Sequence, residues 1–479
     1  MEPITAMSTS SRAATLALAF AFSPLVHAAA DTTELQQLRR EMQQLRQDYD
    51  ARMQALEARL RQAEASSSTA APSVAAALPT GAPATIEAAP ARAEPTPVAS
   101  AAAPAAASSF NPAIALILAG SYTSLSQDPA NYHFQGFLTG SEIGPGVQGF
   151  SLGESELNIS ANVDPWFYGA LNLALEADNS ASVEEAFVQT TALPDGLTLR
   201  AGRTLSAIGY LNDKHAHTWD FADAPLAYQA FLDGQLKVDG LQFRVLLPTA
   251  QFVELGSEVG ATGPFPSGGG NGNQPGVATL FAHTGGDVGA SSSWRAGLSY
   301  LWAKSNDRVS TVYGFDGSSP TDAFNGNTRL FIADGVWKWA PNGNPQRTNL
   351  TLQGEYLRRY ESGNLTYDLA GMGNTDSYRS TQSGWYAQAV YQFMPAWRVG
   401  LRYDQLEVGN VDAASNGTAL YLPDRSASRT TLMIDWSPSE FSRVRLQYAN
   451  DRAGHPGLTD NQFTVQYQMS LGTHGAHNY

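Results

Sequence analysis

Along residues 110–479, apolar and polar positions alternate in stretches of about ten residues, broken by polar connections that are alternately short and long. Near the end of the chain, Phe463, Val465, Tyr467, Met469 and Leu471 are apolar, whereas Gln462, Thr464, Gln466, Gln468 and Ser470 between them are polar. A period of two turns one face of a strand to hydrocarbon and the other to water. Sustained over so long a region, it predicts an all-β transmembrane barrel, the closed β architecture that leaves no backbone group unpaired in lipid. The pattern resolves into sixteen segments, from 113–125 to 462–471, and an even count returns both ends of the barrel to one side.

The connections sort by chemistry. Short ones hold turn formers: Asp164-Pro165, Pro194-Asp195-Gly196, Pro248-Thr249-Ala250, Gly286-Asp287, Pro341-Asn342-Gly343, Met394-Pro395-Ala396 and Ser437-Pro438-Ser439. Trp166, Phe167, Phe252, Trp294, Trp339, Phe393, Trp397, Trp436 and Phe441 lie beside them, where an aromatic girdle at the lipid headgroups is expected. The long connections are 126–149, 206–234, 260–276, 304–329, 361–383, 407–427 and 451–461, and their Gly, Asn, Ser and Asp predict exposure outside the cell. The exception is 206–234, which carries Tyr210, Trp219, Phe221, Tyr228 and Phe231. A segment so aromatic is expected to be buried, and the burial site a barrel offers is its lumen.

Ahead of the barrel the pattern changes twice. Arg12, the apolar run 13–26 and Val26-His27-Ala28 predict a signal peptide over 1–28. In 31–65, Leu35, Leu38, Met42, Leu45, Tyr49, Met53, Leu56, Leu60 and Ala63 recur at spacings of three and four, which predicts an N-terminal α-helical coiled coil in the periplasm and hence self-association. Residues 66–109 are almost wholly Ala, Pro, Ser and Thr and predict a disordered spacer between coil and barrel.

Composition narrows the function. The 479 residues include no Cys, which removes thiolate metal sites and cysteine nucleophiles. A net charge of -15 argues against nucleic acid, which demands a basic stripe. No G-x-S-x-G nucleophile context accompanies the eight histidines, so no enzyme activity and no cofactor are expected.

Strand parity places candidate lumen residues. Arg398 and Arg402 oppose the outward Trp397, Val399, Leu401 and Tyr403; with Arg429, Arg443 and Arg445 they form a predicted basic wall. Glu154, Glu156 and Glu176 form a predicted acidic wall by the parity of Leu157, Ile159, Leu171 and Leu173. Within the aromatic connection Asp213, Lys214, His215, His217, Asp220 and Asp223 are the predicted constriction residues, and their acidic balance predicts a bias toward cations. His215 and His217, near Asp213 and Asp220, are metal-ligand types, as are His474 and His477, but no metal site is assigned on spacing alone.

Sixteen strands, periplasmic ends, a terminal aromatic and an inserted third connection resemble the trimeric porins. The run Val183-Glu184-Glu185-Ala186-Phe187 with Leu193-Pro194-Asp195-Gly196-Leu197-Thr198-Leu199-Arg200-Ala201-Gly202-Arg203 resembles the phosphate-selective porin family in particular. That resemblance implies an outer-membrane homotrimer of a Gram-negative bacterium, passing small hydrophilic solutes or ions by diffusion. It does not imply phosphate selectivity, because the family threads anions past lysines and this inserted connection holds one, Lys214, amid Asp213, Asp220, Asp223 and Asp233. Two other readings remain open: a substrate-specific or metal-linked outer-membrane receptor or channel, and a tether reaching the cell wall through the coiled coil.

Overall fold

In this computed structural model the described residues are 112–472, without 154, 177–179, 262, 264, 270–274, 315, 421 and 423–425. The segments expected over 1–109 lie outside the described residues, as do Glu154, His474, His477 and Tyr479.

The alternating segments form one antiparallel meander. Its strands are β1 (Ala113–Leu125), β2 (Gly149–Ser151), β3 (Ser155–Asn162), β4 (Phe167–Leu175), β5 (Ala181–Thr190), β6 (Leu197–Leu205), β7 (Lys237–Leu246), β8 (Phe252–Gly260) and β9 (Val277–Val288). They continue as β10 (Ser292–Thr311), β11 (Thr321–Trp339), β12 (Asn349–Tyr367), β13 (Asn374–Met394), β14 (Trp397–Asp412), β15 (Ala427–Ser439), β16 (Ser442–Asp451) and β17 (Asp460–Gly472). β2 and β3 both pair with β1 and make one interrupted stave, so the seventeen strands form sixteen staves. β17 closes on β1 in a register running from Ala115↔Gly472 to Leu125↔Gln462. Closure leaves no sheet edge to satisfy.

Parity holds around the ring. Phe463, Tyr467 and Leu471 of β17 are exposed on the outer face, whereas Gln462 and Ser470 are buried inside. Trp166, Phe167, Phe252, Phe393, Trp436 and Phe441 project outward at the short-turn rim, and Trp397 stacks on Trp436 with ring centroids 5.9 Å apart.

Three expectations are corrected. The connections expected over 304–329, 361–383 and 407–427 are largely strand: β10 to β13 run to 19–21 residues and β14 to 16. About 9–11 residues suffice to cross a bilayer, so these staves are longer than a span requires. Over the extra length outward positions such as Lys304, Ser362 and Asn364 are polar, so the apolar alternation fades although the ladder continues and the inner face stays buried around Val312, Phe324, Leu365 and Tyr378. On the other rim, Gly286-Asp287 belongs to β9 and the turn falls at 289–291; likewise Ser437-Pro438-Ser439 belongs to β15 and the turn is Glu440-Phe441. Pro438 is tolerated there because the ladder shifts register between Trp436 and Ser439, where its missing N–H is not needed. Finally, the first connection, 126–148, is not an exposed loop. Tyr132, Phe134, Phe137 and Leu138 are buried, with Tyr132 Oη donating to Asp451 at 2.9 Å and Arg359 Nη1 donating to the Leu138 carbonyl at 2.9 Å. Its four large apolar side chains outweigh its polar composition.

The core sits inside the barrel, under the third connection. Helix α1 (Leu226–Leu232) has all seven side chains buried and packs against β12, β13 and β14. Leu226, Tyr228 and Phe231 are fully buried, at about 1.5–3 kcal/mol for each such side chain.

Candidate functional site

The third connection spans 206–236 and crosses the lumen, bonding to inward side chains on nearly every part of the wall. At its start Ser206 Oγ and the Ala207 N–H donate to Glu258 of β8. Gly209 follows at φ +67°, and a Cβ there would overlap the Glu355 carboxylate, so glycine is required by both backbone and space. That close approach lets Glu355 of β12 accept from the Tyr210 and Leu211 N–H groups at 3.1 and 3.0 Å. The same carboxylate accepts from Tyr228 Oη at 2.9 Å and Tyr386 Oη at 2.6 Å. Asp404 of β14 caps the first turn of α1 by accepting from the Leu226 N–H at 3.0 Å.

Opposite signs then meet. The basic wall receives the aspartates of the connection. Arg398 donates to Asp220 at 2.8 Å and to Asp435 at 2.5 Å. Asp223 accepts from Arg402 at 3.0 Å and from Gln447 at 2.7 Å and forms an ion pair with Arg429 at 2.6 Å. Burial pushes the Asp223 carboxyl upward, but Arg402 and Arg429 overcome it and hold the group below its ordinary range. Arg443 donates to the His217 carbonyl and Arg445 to the Trp219 carbonyl, both at 2.7 Å.

The acidic wall receives the histidines. Across β4 and β5 the pairing slips between Asn172 and Leu173, so that Glu185 faces Asn172 while Val183 faces Leu173. The extra residue of this bulge is Glu184, and the local kink buries Glu184 and Glu185 together although they are consecutive. His215 Nδ1 lies 2.9 Å from Glu184 Oε2 and 3.5 Å from Glu156 Oε2, while its Nε2 lies 3.0 Å from Glu185 Oε2 and 2.8 Å from the Asn172 amide. His217 Nδ1 meets Glu156 Oε1 at 2.5 Å, and its ring stacks on that of His215. Burial opposes charge on His215, yet hydrogen bonds to Glu184 and Glu185 and the charge of Glu156 raise its pKa well above the ordinary value. Glu156, Glu184 and His215 place one ligand atom each within 4.8 Å of one another, a grouping able to hold a metal ion.

The expected constriction residues therefore divide. Asp220 and Asp223 face arginines, His215 and His217 face glutamates, and Asp213 with Lys214 lie on a third side, paired at 3.4 Å with Arg244 3.9 Å from Asp213. His217 and Asp223 border a polar cavity of about 140 Å³ between the connection and the wall of β1, β16 and β17, lined by Ser121, Thr123, Gln447, Gln462, Thr464, Gln466 and Gln468. Glu176 is not part of this contact; it accepts from Ser182 Oγ at the rim.

Sequence reasoning missed the anchors Glu258, Glu355 and Asp404, and the pair Glu184–Glu185. The first three are visible as acidic residues at inward parity on their strands. The pair is visible as a break in alternation.

No family model matches the chain. Among solved structures it is similar to OmpT, an outer membrane protein of Vibrio cholerae (11% identity, TM-score 0.46, covering 75% of this chain and 97% of that one). It is also similar to the outer membrane channel DcaP of Acinetobacter baumannii (12%, 0.45, 75% and 97%) and to the anion-selective porin of Comamonas acidovorans (11%, 0.45, 75% and 99%). Among curated proteins it is 31% identical over 396 residues to an uncharacterized protein of Aquifex aeolicus (strain VF5), covering 78% of this chain and 80% of that one. This sixteen-stave barrel with a third connection packed inside it belongs to the same family as that Aquifex aeolicus protein.

Proposed function

We propose that the chain is an outer-membrane porin through which small hydrophilic solutes diffuse, with the third connection as its constriction. The observation that carries this reading is the cavity left between that connection and β1, β16 and β17, whose wall presents amides and hydroxyls. The charges nearest it are engaged: Asp223 is shared by Arg402, Arg429 and Gln447, and Arg443 by the His217 carbonyl and Gln468. A passage whose inward charges are paired exerts a weak net field on a permeant, so uncharged polar solutes are favoured and the cation bias expected from the acidic connection is small. The apolar outer face supports insertion in a bilayer, with export through residues 1–28 and a homotrimer steadied by a coiled coil over 31–65 as parts of the same proposal. Phosphate selectivity is not part of it, since among the described residues the cavity lining holds no lysine.

The test is solute flux into liposomes carrying the purified protein. Uptake of small neutral sugars is expected, and Gln466→Trp, which fills the cavity from the wall, should reduce it several-fold without altering the fold. Uptake no faster than in protein-free liposomes, or full uptake by the Trp variant, would reject the passage.

A further inference from the structure

The contact between the third connection and the acidic wall has the composition of a coordination sphere. We propose that Glu156 of β3, Glu184 of the β5 bulge and His215 Nδ1 bind one divalent transition-metal cation of the zinc class, which fastens the third connection to the wall. This goes beyond the transport reading and does not rest on it.

The geometry supplies three arguments. His215 Nδ1 stands 2.9 Å from Glu184 Oε2 and 3.5 Å from Glu156 Oε2. Ligand atoms bound at zinc distances in tetrahedral array lie about 3.3 Å apart, a value the two distances from His215 Nδ1 bracket, and all three ligand atoms lie within 4.8 Å of one another. The surroundings are those of a built site as well. His215 Nε2 is turned to Glu185 at 3.0 Å, which orients the ring and frees Nδ1 for a metal, and His217 holds the second oxygen of Glu156 at 2.5 Å. Finally, a neutral imidazole donates from one nitrogen, yet carboxylates face both nitrogens of His215. A cation on the Nδ1 side would meet both Glu184 and Glu156 and relieve the repulsion between them, which Lys237 Nζ, 3.5 Å from Glu184 Oε1, offsets only from the far side of Glu184. One imidazole and two carboxylates suit Zn²⁺ better than the all-oxygen preference of Mg²⁺ or Ca²⁺. The ligands come from two staves and the inserted connection, so the ion would be a latch between wall and constriction.

The experiment is titration of the chelator-stripped full chain in detergent with Zn²⁺ alone. One Zn²⁺ per chain is expected, with affinity reduced at least tenfold in His215→Ala and in Glu184→Gln and unchanged in His133→Asn. X-ray absorption of the zinc-loaded wild-type protein requires no variant to fold, and should show one imidazole nitrogen with carboxylate oxygens. Binding of less than one zinc per chain, unchanged affinity in a folded His215→Ala variant, or a shell without imidazole would overturn the proposal.

Discussion

Glu355 is the acceptor on which the docking of the third connection most depends, and replacing it with Ala isolates that dependence. Its carboxylate receives four donors, of which the Tyr210 N–H, the Leu211 N–H and Tyr228 Oη belong to the connection and Tyr386 Oη to the wall. A hydrogen bond to a charged group contributes about 1.5–3 kcal/mol, so the three that join connection to wall contribute at least about 4.5 kcal/mol. At 1.4 kcal/mol per tenfold, the undocked state should rise about 10³-fold in Glu355→Ala. The staves themselves, held by backbone ladders, should be unaffected. Hydrogen exchange reads this directly, since the amides of α1, Leu226–Leu232, exchange through undocking while those of β12 and β13 report the barrel. The expected result is an acceleration of two to three orders of magnitude confined to α1. Acceleration below threefold, or equal acceleration in α1 and the staves, would refute the view that this carboxylate anchors the connection.

Three further outcomes follow from the same contacts. Gly209→Ala, which combines φ +67° with overlap of the Glu355 carboxylate, should loosen α1 in the same assay by at least the roughly 1–2 kcal/mol that a left-handed residue costs, while Ala substitution at exposed Gly289 should leave α1 unchanged. Asp223→Asn removes the carboxylate that joins Arg402 and Arg429 at the cavity, leaving Asp404 at 3.0 and 3.6 Å from them, and should move the reversal potential in a salt gradient toward anions. Asp220→Asn should move it less, because Asp223 borders the cavity whereas Asp220 lies behind it on Arg398, which Asp435 still holds at 2.5 Å; equal shifts, or none, would show that these charges do not govern the permeant. Asp233, which joins the first and third connections by accepting from the Glu142 N–H at 2.6 Å, has its carboxyl raised to about 6, first by burial. Burial of this carboxyl costs least when it is protonated, so the packing of the two connections around it is strongest below about pH 4 and weakens as pH rises through 6, the Glu142 N–H bond to the ionised form offsetting only part of the loss. Exchange of the Glu142 amide corrected for intrinsic pH dependence should show that trend in the wild type and lose it in Asp233→Asn.

The strand count, the inward side of Arg398, Arg402, Arg429, Arg443 and Arg445, and the burial of the third connection were all readable from the chain. Each follows from a local signal, alternation for the staves and aromatic loading for the connection. The tall hairpins β10 to β13 were not readable, because over their extra length outward positions such as Lys304, Ser362 and Asn364 turn polar and period two loses its contrast. Burial of the first connection escaped for a similar reason, its Tyr132, Phe134, Phe137 and Leu138 being masked by polar neighbours. The pairing of Glu184 with Glu185 was hidden by a rule rather than by noise, since strict alternation denies that consecutive residues share a face and a bulge repeals it locally.

By itself, then, the sequence determined a closed barrel and the sign of the charge at each inward position, since parity and closure follow from an apolar outer face and backbone pairing within the wall. Only the tertiary structure decided which charge meets which. His215 reaches Glu184 across 31 residues and Asp223 reaches Arg402 across 179, and such meetings depend on the stagger of the staves and the path of one connection through the lumen. That path left the acidic connection docked by matched pairs, because an inward charge removed from bulk water is stabilised most by the nearest opposite charge.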